Sequence, residues 1–299
     1  CNHEITWRDG GESFTFRDRA APGKGGDEAL KKYVAAQRSL GWRAGLYTNY
    51  TDFASVNAYW DTDRVMRGSN GDLVTAWPRC YSPKSLFAVE MDRKLAPLIQ
   101  SKFDTNAAYT DVHTFVSPWD RTDFDARVPG AGTFAATFYA YGELLLHDQD
   151  VYDGHCWSEG NHQWLYAGLC TGNYGLAYSG LRLWEYPYLP HFDLLKMHPL
   201  SVDIGVPWTG QFFAGKEGWS KPENLVASID QFLAATIAYG HIGWLVEEAH
   251  GMRQTCRSYY MLQPLQSRYA MLKPQEIRYG TDHGLVSSSE AFRSGDWRK

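Results

Sequence analysis

Short apolar runs that end abruptly in polar residues alternate with amphipathic stretches along this chain. Leu30, Val34 and Leu40 recur at helical spacing, with Asp27 as N-cap and Gly41 as stop, so the pattern predicts a helix over 27–40. Residues 4–7 and 42–47 read as strands on either side of it, and the charged, glycine-containing segment 8–26 reads as a loop. Further on, helices predicted over 92–103 and 133–146 precede strands over 107–112 and 155–158. Beyond residue 160 the units are less regular. Strands are expected near 195–198, at 201–206 in addition to it or in its place, and at 241–246, with a helix over 223–238 between Pro222 and Gly240 and a helix over 259–272 kinked at Pro264.

This alternation amounts to about six strand-plus-helix units, short of the eight in a complete barrel. No Pro- or Ser-rich linker, short repeat or low-complexity tract separates the units. The economical reading is one α/β domain over 1–299, a TIM-barrel-like (β/α)8 fold with units missing at the termini. The chain starts at Cys1 without an initiator Met or signal peptide, which reads as a fragment of a larger multidomain protein. Segment 51–90 is a long irregular insertion containing Asp61, Asp63, Arg64, Trp77 and Pro78. Insertions this long in compact domains are usually functional.

Composition narrows the chemistry. Aromatic residues make up 15% of the chain, with 12 Trp, 19 Tyr and 14 Phe. Core packing accounts for most of these, but less well for Trp7, Trp119, Trp157, Trp164 and Trp208, which sit among Asp, Arg, His and Gly. Flat rings in polar surroundings suit the apolar faces of sugars. The net charge of −5 argues against a nucleic-acid surface, and no apolar run is long enough to span a bilayer. Cys1, Cys80, Cys156, Cys170 and Cys256 are widely spaced, which fits buried thiols better than a disulfide framework or zinc cluster. The His-x-His of metal-dependent barrel hydrolases is missing, so neither a metal centre nor a cofactor is expected.

Two segments carry the candidate chemistry, Ala108 to His113 and Cys156 to Gly160. Each reads as a buried strand that ends in a carboxylate and opens into a loop rich in aromatic, His and Gly residues. Strand ends at the C-terminal face of a barrel point into the active-site mouth, and glycosidic cleavage needs two carboxylates there. Asp111 and Glu159 are therefore the expected catalytic pair, with Trp7, His113, Trp119, Arg121, Trp157 and His162 expected to contact substrate. The plainer alternatives are an Asp111 that caps a helix or pairs with Arg, a solvated Glu159, and a Trp157 packed against the helices. Asp203, Glu247 and Glu248 also fall near strand ends and read as structural or sugar-binding groups. A carbohydrate-binding module without catalysis competes with the enzyme reading.

The runs Trp7-Arg8-Asp9-Gly10-Gly11-Glu12, Tyr109-Thr110-Asp111-Val112 and Ser158-Glu159-Gly160 together resemble the barrel of endo-α-N-acetylgalactosaminidase-type glycosidases. These are glycoside hydrolase families 101 and 129 and their bacterial relatives. The resemblance covers residues 1–200 except loop 118–129, which departs from the family, so N-acetylgalactosamine specificity does not carry over. It implies a retaining hydrolase of α-linked sugars with Asp111 as nucleophile and Glu159 as acid/base. It also implies an oligosaccharide or glycoconjugate substrate, flanking β-sandwich domains in the parent protein, and a secreted, periplasmic or cell-surface location.

Overall fold

The computed structural model describes residues 15–160, 162–174, 202–203, 226, 229–230, 233, 237 and 247–269. The elements run α1 (Gly26–Ser39), β1 (Gly45–Thr48), β2 (Phe53–Ala54), β3 (Cys80–Tyr81), α2 (Ser85–Phe103), β4 (Ala107–Thr110), α3 (Phe134–Tyr152), β5 (His155–Glu159), β6 (Gly172–Tyr174), β7 (Val202–Asp203) and α4 (Glu247–Tyr269). The chain divides into two compact units, Cys1–Gly172 and Asn173–Lys299. The strands expected at 4–7, 195–198 and 241–246 lie outside the described residues, as do Trp7 and Trp208.

In the first unit the strands pair in parallel, β1 with β4 and β4 with β5. Parallel neighbours need a crossover, and α2 and α3 supply the two here, which makes the unit α/β. Side chains alternate across a strand, so one set of positions packs on the helices and the other looks away. Leu46, Ala108 and Cys156 belong to the buried cluster on the helix side. They meet a stripe on α2 in which Phe87, Met91, Leu95, Ile99 and Phe103 recur every fourth residue. They also meet Ala140, Tyr141, Leu144, Leu145 and Tyr152 on α3.

The strands approach closely where glycine permits it. A Cβ at Gly154 would lie 2.2 Å from the Asn106 carbonyl oxygen, where the chain enters β5 beside the start of β4. Backbone cannot yield as a flexible side chain can, so Gly154→Ala should push the strands apart. The expected loss is about 2 kcal/mol of stability, read as a lower urea midpoint with an unchanged slope.

Several boundaries differ from the sequence expectations, each for a local reason. Helix α2 starts at Ser85 rather than 92, because Phe87 and Met91 extend the buried stripe. That shortens the insertion, which holds the antiparallel β2–β3 pair. Asp27 does not cap α1; Gly25 occupies that position, and Asp27 Oδ1 instead accepts from the Ala20 amide at 2.7 Å. Gly41 does end the helix region with φ 79°, but Leu40 is 64% exposed and contributes nothing to the core. Trp42 is also exposed, and β1 begins only at Gly45. Helix α3 runs to Tyr152, six residues past its expected end at 146. In the second unit, α4 begins at Glu247, well before 259, breaks at Gly251 (φ 70°) and carries Pro264 within it. The described residues of the helix expected over 223–238 are helical, with Ile229 and Leu233 buried. Among the described cysteines, Cys80, Cys156 and Cys170 are buried free thiols and Cys256 is exposed.

Candidate active site

Three strand ends repeat one pattern of aromatic, hydroxyl and amide or carboxylate. They are Tyr47-Thr48-Asn49, Tyr109-Thr110-Asp111 and Trp157-Ser158-Glu159. The register aligns them, with Tyr47 opposite Tyr109, Tyr109 opposite Trp157, and Thr48, Thr110 and Ser158 in one row. The period of two then separates their tasks. The hydroxyl row faces the helix side and ties the strands together: Ser158 Oγ donates to the Thr110 carbonyl at 2.6 Å, and Thr48 Oγ1 donates to Thr110 Oγ1 at 3.4 Å. The aromatic row forms the opposite surface, with the Tyr47 and Tyr109 ring centroids 5.8 Å apart. Asn49 and Asp111 bond to the hydroxyls of those tyrosines, and alternation puts Glu159 on the same face of β5 as Trp157.

Asp111 is held by both phenols. Tyr47 Oη donates to Oδ2 at 2.6 Å and Tyr109 Oη donates to Oδ1 at 2.8 Å. Asn49 fixes the first phenol, since its Nδ2 donates to Tyr47 Oη at 3.2 Å and to Asp52 Oδ2 at 2.7 Å. One donor hydrogen serves each acceptor, which leaves the Tyr47 hydroxyl proton for Asp111. The carboxylate is half-buried, and each of its oxygens has an assigned donor. Neither Tyr47 nor Asn49 was singled out from the sequence. The repeated aromatic–hydroxyl–polar triplet was the signal that could have found them.

Glu159 is also half-buried and closes β5. Strands in a sheet lie about 4.8 Å apart, and Asp111 and Glu159 each follow directly on the paired Thr110 and Ser158. The loops that follow are stitched together. Thr114 Oγ1 donates to the Glu159 carbonyl, and the His162 amide donates to the Thr114 carbonyl at 2.8 Å. Trp157 is half-buried and stacks on His155 at 6.1 Å, while Cys156 and Ser158 take the helix side. Trp119, 48% exposed, meets the His162 ring edge-on at 5.5 Å, so those two expected contacts are brought together.

Two other expected contacts are placed elsewhere. His113 is fully buried between Tyr50 and Tyr141, and its Nδ1 bonds the Asp111 carbonyl at 2.8 Å. Burial pushes its pKa down to about 4, which keeps the ring neutral. The turn at Val112, with φ 69°, is what carries the chain inward after Asp111. Arg121 is 8% exposed, and its guanidinium donates to the Thr75 carbonyl at 3.1 Å and to Ser82 Oγ. It anchors the insertion rather than presenting hydrogens to a ligand. Trp7 lies outside the described residues, as do the side chains of Trp164 and Asp203.

Behind the strands lies a second acid pair. Asp92 on α2 and Asp148 on α3 are buried within the two apolar stripes. Thr110 Oγ1 donates to Asp148 Oδ2, and His147 Nδ1 lies 2.5 Å from Asp92 Oδ2. Asp92 Oδ1 and Asp148 Oδ1 have no other hydrogen-bond partner, which suits one proton shared between them. Burial pushes both carboxyls up, Asp92 to about 7 and Asp148 well above the usual range, with the Asp92 charge adding to the effect on Asp148.

Among the described residues no three His, Cys, Asp or Glu side chains converge as metal ligands, and no helix is long and apolar enough to cross a membrane. No family model matches the sequence, and no curated protein matches it. Solved structures do match. The chain is similar to the α-N-acetylgalactosaminidase NagBb of Bifidobacterium bifidum, at 15% identity and a TM-score of 0.65, covering 86% of this chain and 40% of that one. It is similar to an α-galactosidase of Lactobacillus brevis (8% identity, TM-score 0.56, covering 90% and 36%). It is also similar to a debranching enzyme of Nostoc punctiforme (12% identity, TM-score 0.57, covering 93% and 71%). At these identities the likeness shows the fold alone, an α/β fold. The chain spans about two fifths of the length of the Bifidobacterium enzyme.

Proposed function

We propose that this chain is the barrel of a retaining glycoside hydrolase acting on α-linked sugars, with Asp111 as nucleophile and Glu159 as acid/base. The observation that supports it most is the pair of carboxylates ending adjacent parallel strands, one gripped by two phenols above an aromatic surface. Glu159 gives its proton to the glycosidic oxygen as Asp111 attacks the anomeric carbon, and the leaving alcohol departs. Glu159, now ionised, takes a proton from water as that water displaces Asp111 and releases the sugar. Tyr47 and Tyr109 keep the Asp111 oxygens in place through both displacements. Two of the similar structures are named for α-linked galactose-type sugars, so aryl α-galactoside and α-N-acetylgalactosaminide are the first substrates to try.

The test is turnover by the wild-type chain with the product anomer followed by NMR. A first-formed α-anomer, with turnover abolished in Asp111→Asn, supports the reading. A protein that binds the sugar equally in wild type, Asp111→Asn and Glu159→Gln and hydrolyses nothing is a binding module instead. Trp157 gives a further check. Trp157→Ala should raise the sugar dissociation constant about tenfold while the melting temperature changes little, because the ring stands on the carboxylate face and not in the helix-side core.

A further inference from the structure

The insertion between β1 and α2 builds a separate cavity of about 540 Å³, lined by Val56, Trp77, Pro78, Arg79, Cys80 and Tyr81 among others. Trp77 is 64% exposed and Val56 68%, so an apolar ring and an apolar side chain face open space beside it. The wall is a hairpin tip in which the Cys80 amide donates to the Trp77 carbonyl at 2.8 Å and the Ala76 amide to the Cys80 carbonyl at 3.0 Å. Arg79 sits in the left-handed region, φ 70°, at a turn position that favours glycine. A long cationic side chain is thus carried where the backbone would prefer none.

This cavity is joined to the candidate active site by a short chain of hydrogen bonds. The Trp77 amide donates to Asp52 Oδ1 at 3.3 Å, and Asn49 links Asp52 to Tyr47, which holds Asp111. The insertion also leaves the sheet at the C-terminal end of β1, the same end at which Asp111 and Glu159 emerge. From this we infer that the insertion cavity is a second sugar subsite, in which Trp77 stacks on the apolar face of a pyranose of the substrate remote from the scissile bond and Arg79 donates to its hydroxyls. The inference rests on the proposed glycosidase reading and extends it from a single sugar to an extended glycan. An apolar ring flanked by a guanidinium matches a pyranose, which offers C–H groups on one face and oxygen acceptors around its edge.

The experiment compares a short aryl α-glycoside with an oligosaccharide of the same terminal sugar, using wild type, Trp77→Ala and Arg79→Gly. Trp77→Ala should lower kcat/KM for the oligosaccharide about tenfold and leave the aryl glycoside within about twofold. Arg79→Gly should behave likewise while melting at or above the wild-type temperature, because glycine suits that turn position. Equal effects on both substrates, or no effect on either, would overturn the subsite. If the wild type hydrolyses neither, calorimetric titration of the oligosaccharide still decides the matter. About tenfold weaker binding to Trp77→Ala supports the subsite without catalysis, and equal binding rejects it. A self-associated wild type that Trp77→Ala converts to monomer, with sugar handling unchanged, would assign the face to a second copy of the chain and also reject it.

Discussion

Asp111→Ala is expected to lower kcat for an aryl α-glycoside at least about 10³-fold, because alanine brings no nucleophile to the place where Tyr47 and Tyr109 hold the carboxylate. Glu159→Ala should act differently on the same substrate. A phenolate of low pKa leaves without a proton, so the first step survives and the second, which needs the base, slows about 10²–10⁴-fold. The glycosyl-enzyme then accumulates, and KM should fall together with kcat. Added azide separates the two roles by stereochemistry. In Asp111→Ala azide enters the vacated face and gives the β-glycosyl azide, whereas in Glu159→Ala it displaces Asp111 and gives the α-glycosyl azide. The opposite assignment of products would exchange the roles, and recovery in neither variant would remove both residues from the chemistry.

The second large effect concerns stability. Both carboxyls of the Asp92–Asp148 pair are pushed up by burial, so their charged forms are disfavoured in the folded chain. A carboxyl raised from the ordinary range near 4 to about 7 gives stability that is full below about pH 4 and is lost as pH rises through about 7. Over that window the loss is on the order of a few kcal/mol. Asp148→Asn replaces the shared proton with an amide N–H, keeps an oxygen for the Thr110 hydroxyl, and removes one ionisation. The variant should therefore be about 1–3 kcal/mol more stable than wild type at pH 8 and close to it at pH 4.5. Each kcal/mol corresponds to about 2–4 °C in melting temperature at this size. His113 opposes this trend in wild type, since its lowered pKa costs stability as pH falls from about 6.5 towards 4. That contribution is common to both proteins and cancels in the difference. A loss of stability at pH 8 would show that the pair is held ionised by its neighbours.

The strands that carry Asp111 and Glu159 were legible because each is a short apolar run closed by a carboxylate, a pattern set by local alternation. Register was not legible. That Tyr47 lies opposite Tyr109, so that both phenols reach one carboxylate, depends on the pairing of strands separated by the whole insertion and α2. Residue type alone points His113 and Arg121 towards substrate. The first is turned inward by a positive φ at Val112, a β-branched residue that seldom adopts it, and the second is captured by Thr75 and Ser82 from the insertion. Asp92 and Asp148 were visible in principle, since they interrupt otherwise apolar helical stripes. Such an interruption is ambiguous until the partner helix is placed. Helix α2 begins at Ser85, before the expected 92, because Phe87 and Met91 belong to the same buried stripe as Leu95, Ile99 and Phe103.

Covalent trapping tests the central claim most directly. A 5-fluoro glycosyl fluoride of the sugar that the protein hydrolyses as an aryl α-glycoside slows the second displacement, so the nucleophile keeps the sugar. Intact mass should rise by one fluoroglycosyl group, and peptide mapping should place it on Asp111. Glu159→Ala should label as well, and Asp111→Asn should not. A label on any other carboxylate, Glu159 included, or steady turnover of aryl glycoside by Asp111→Asn, would contradict the assignment.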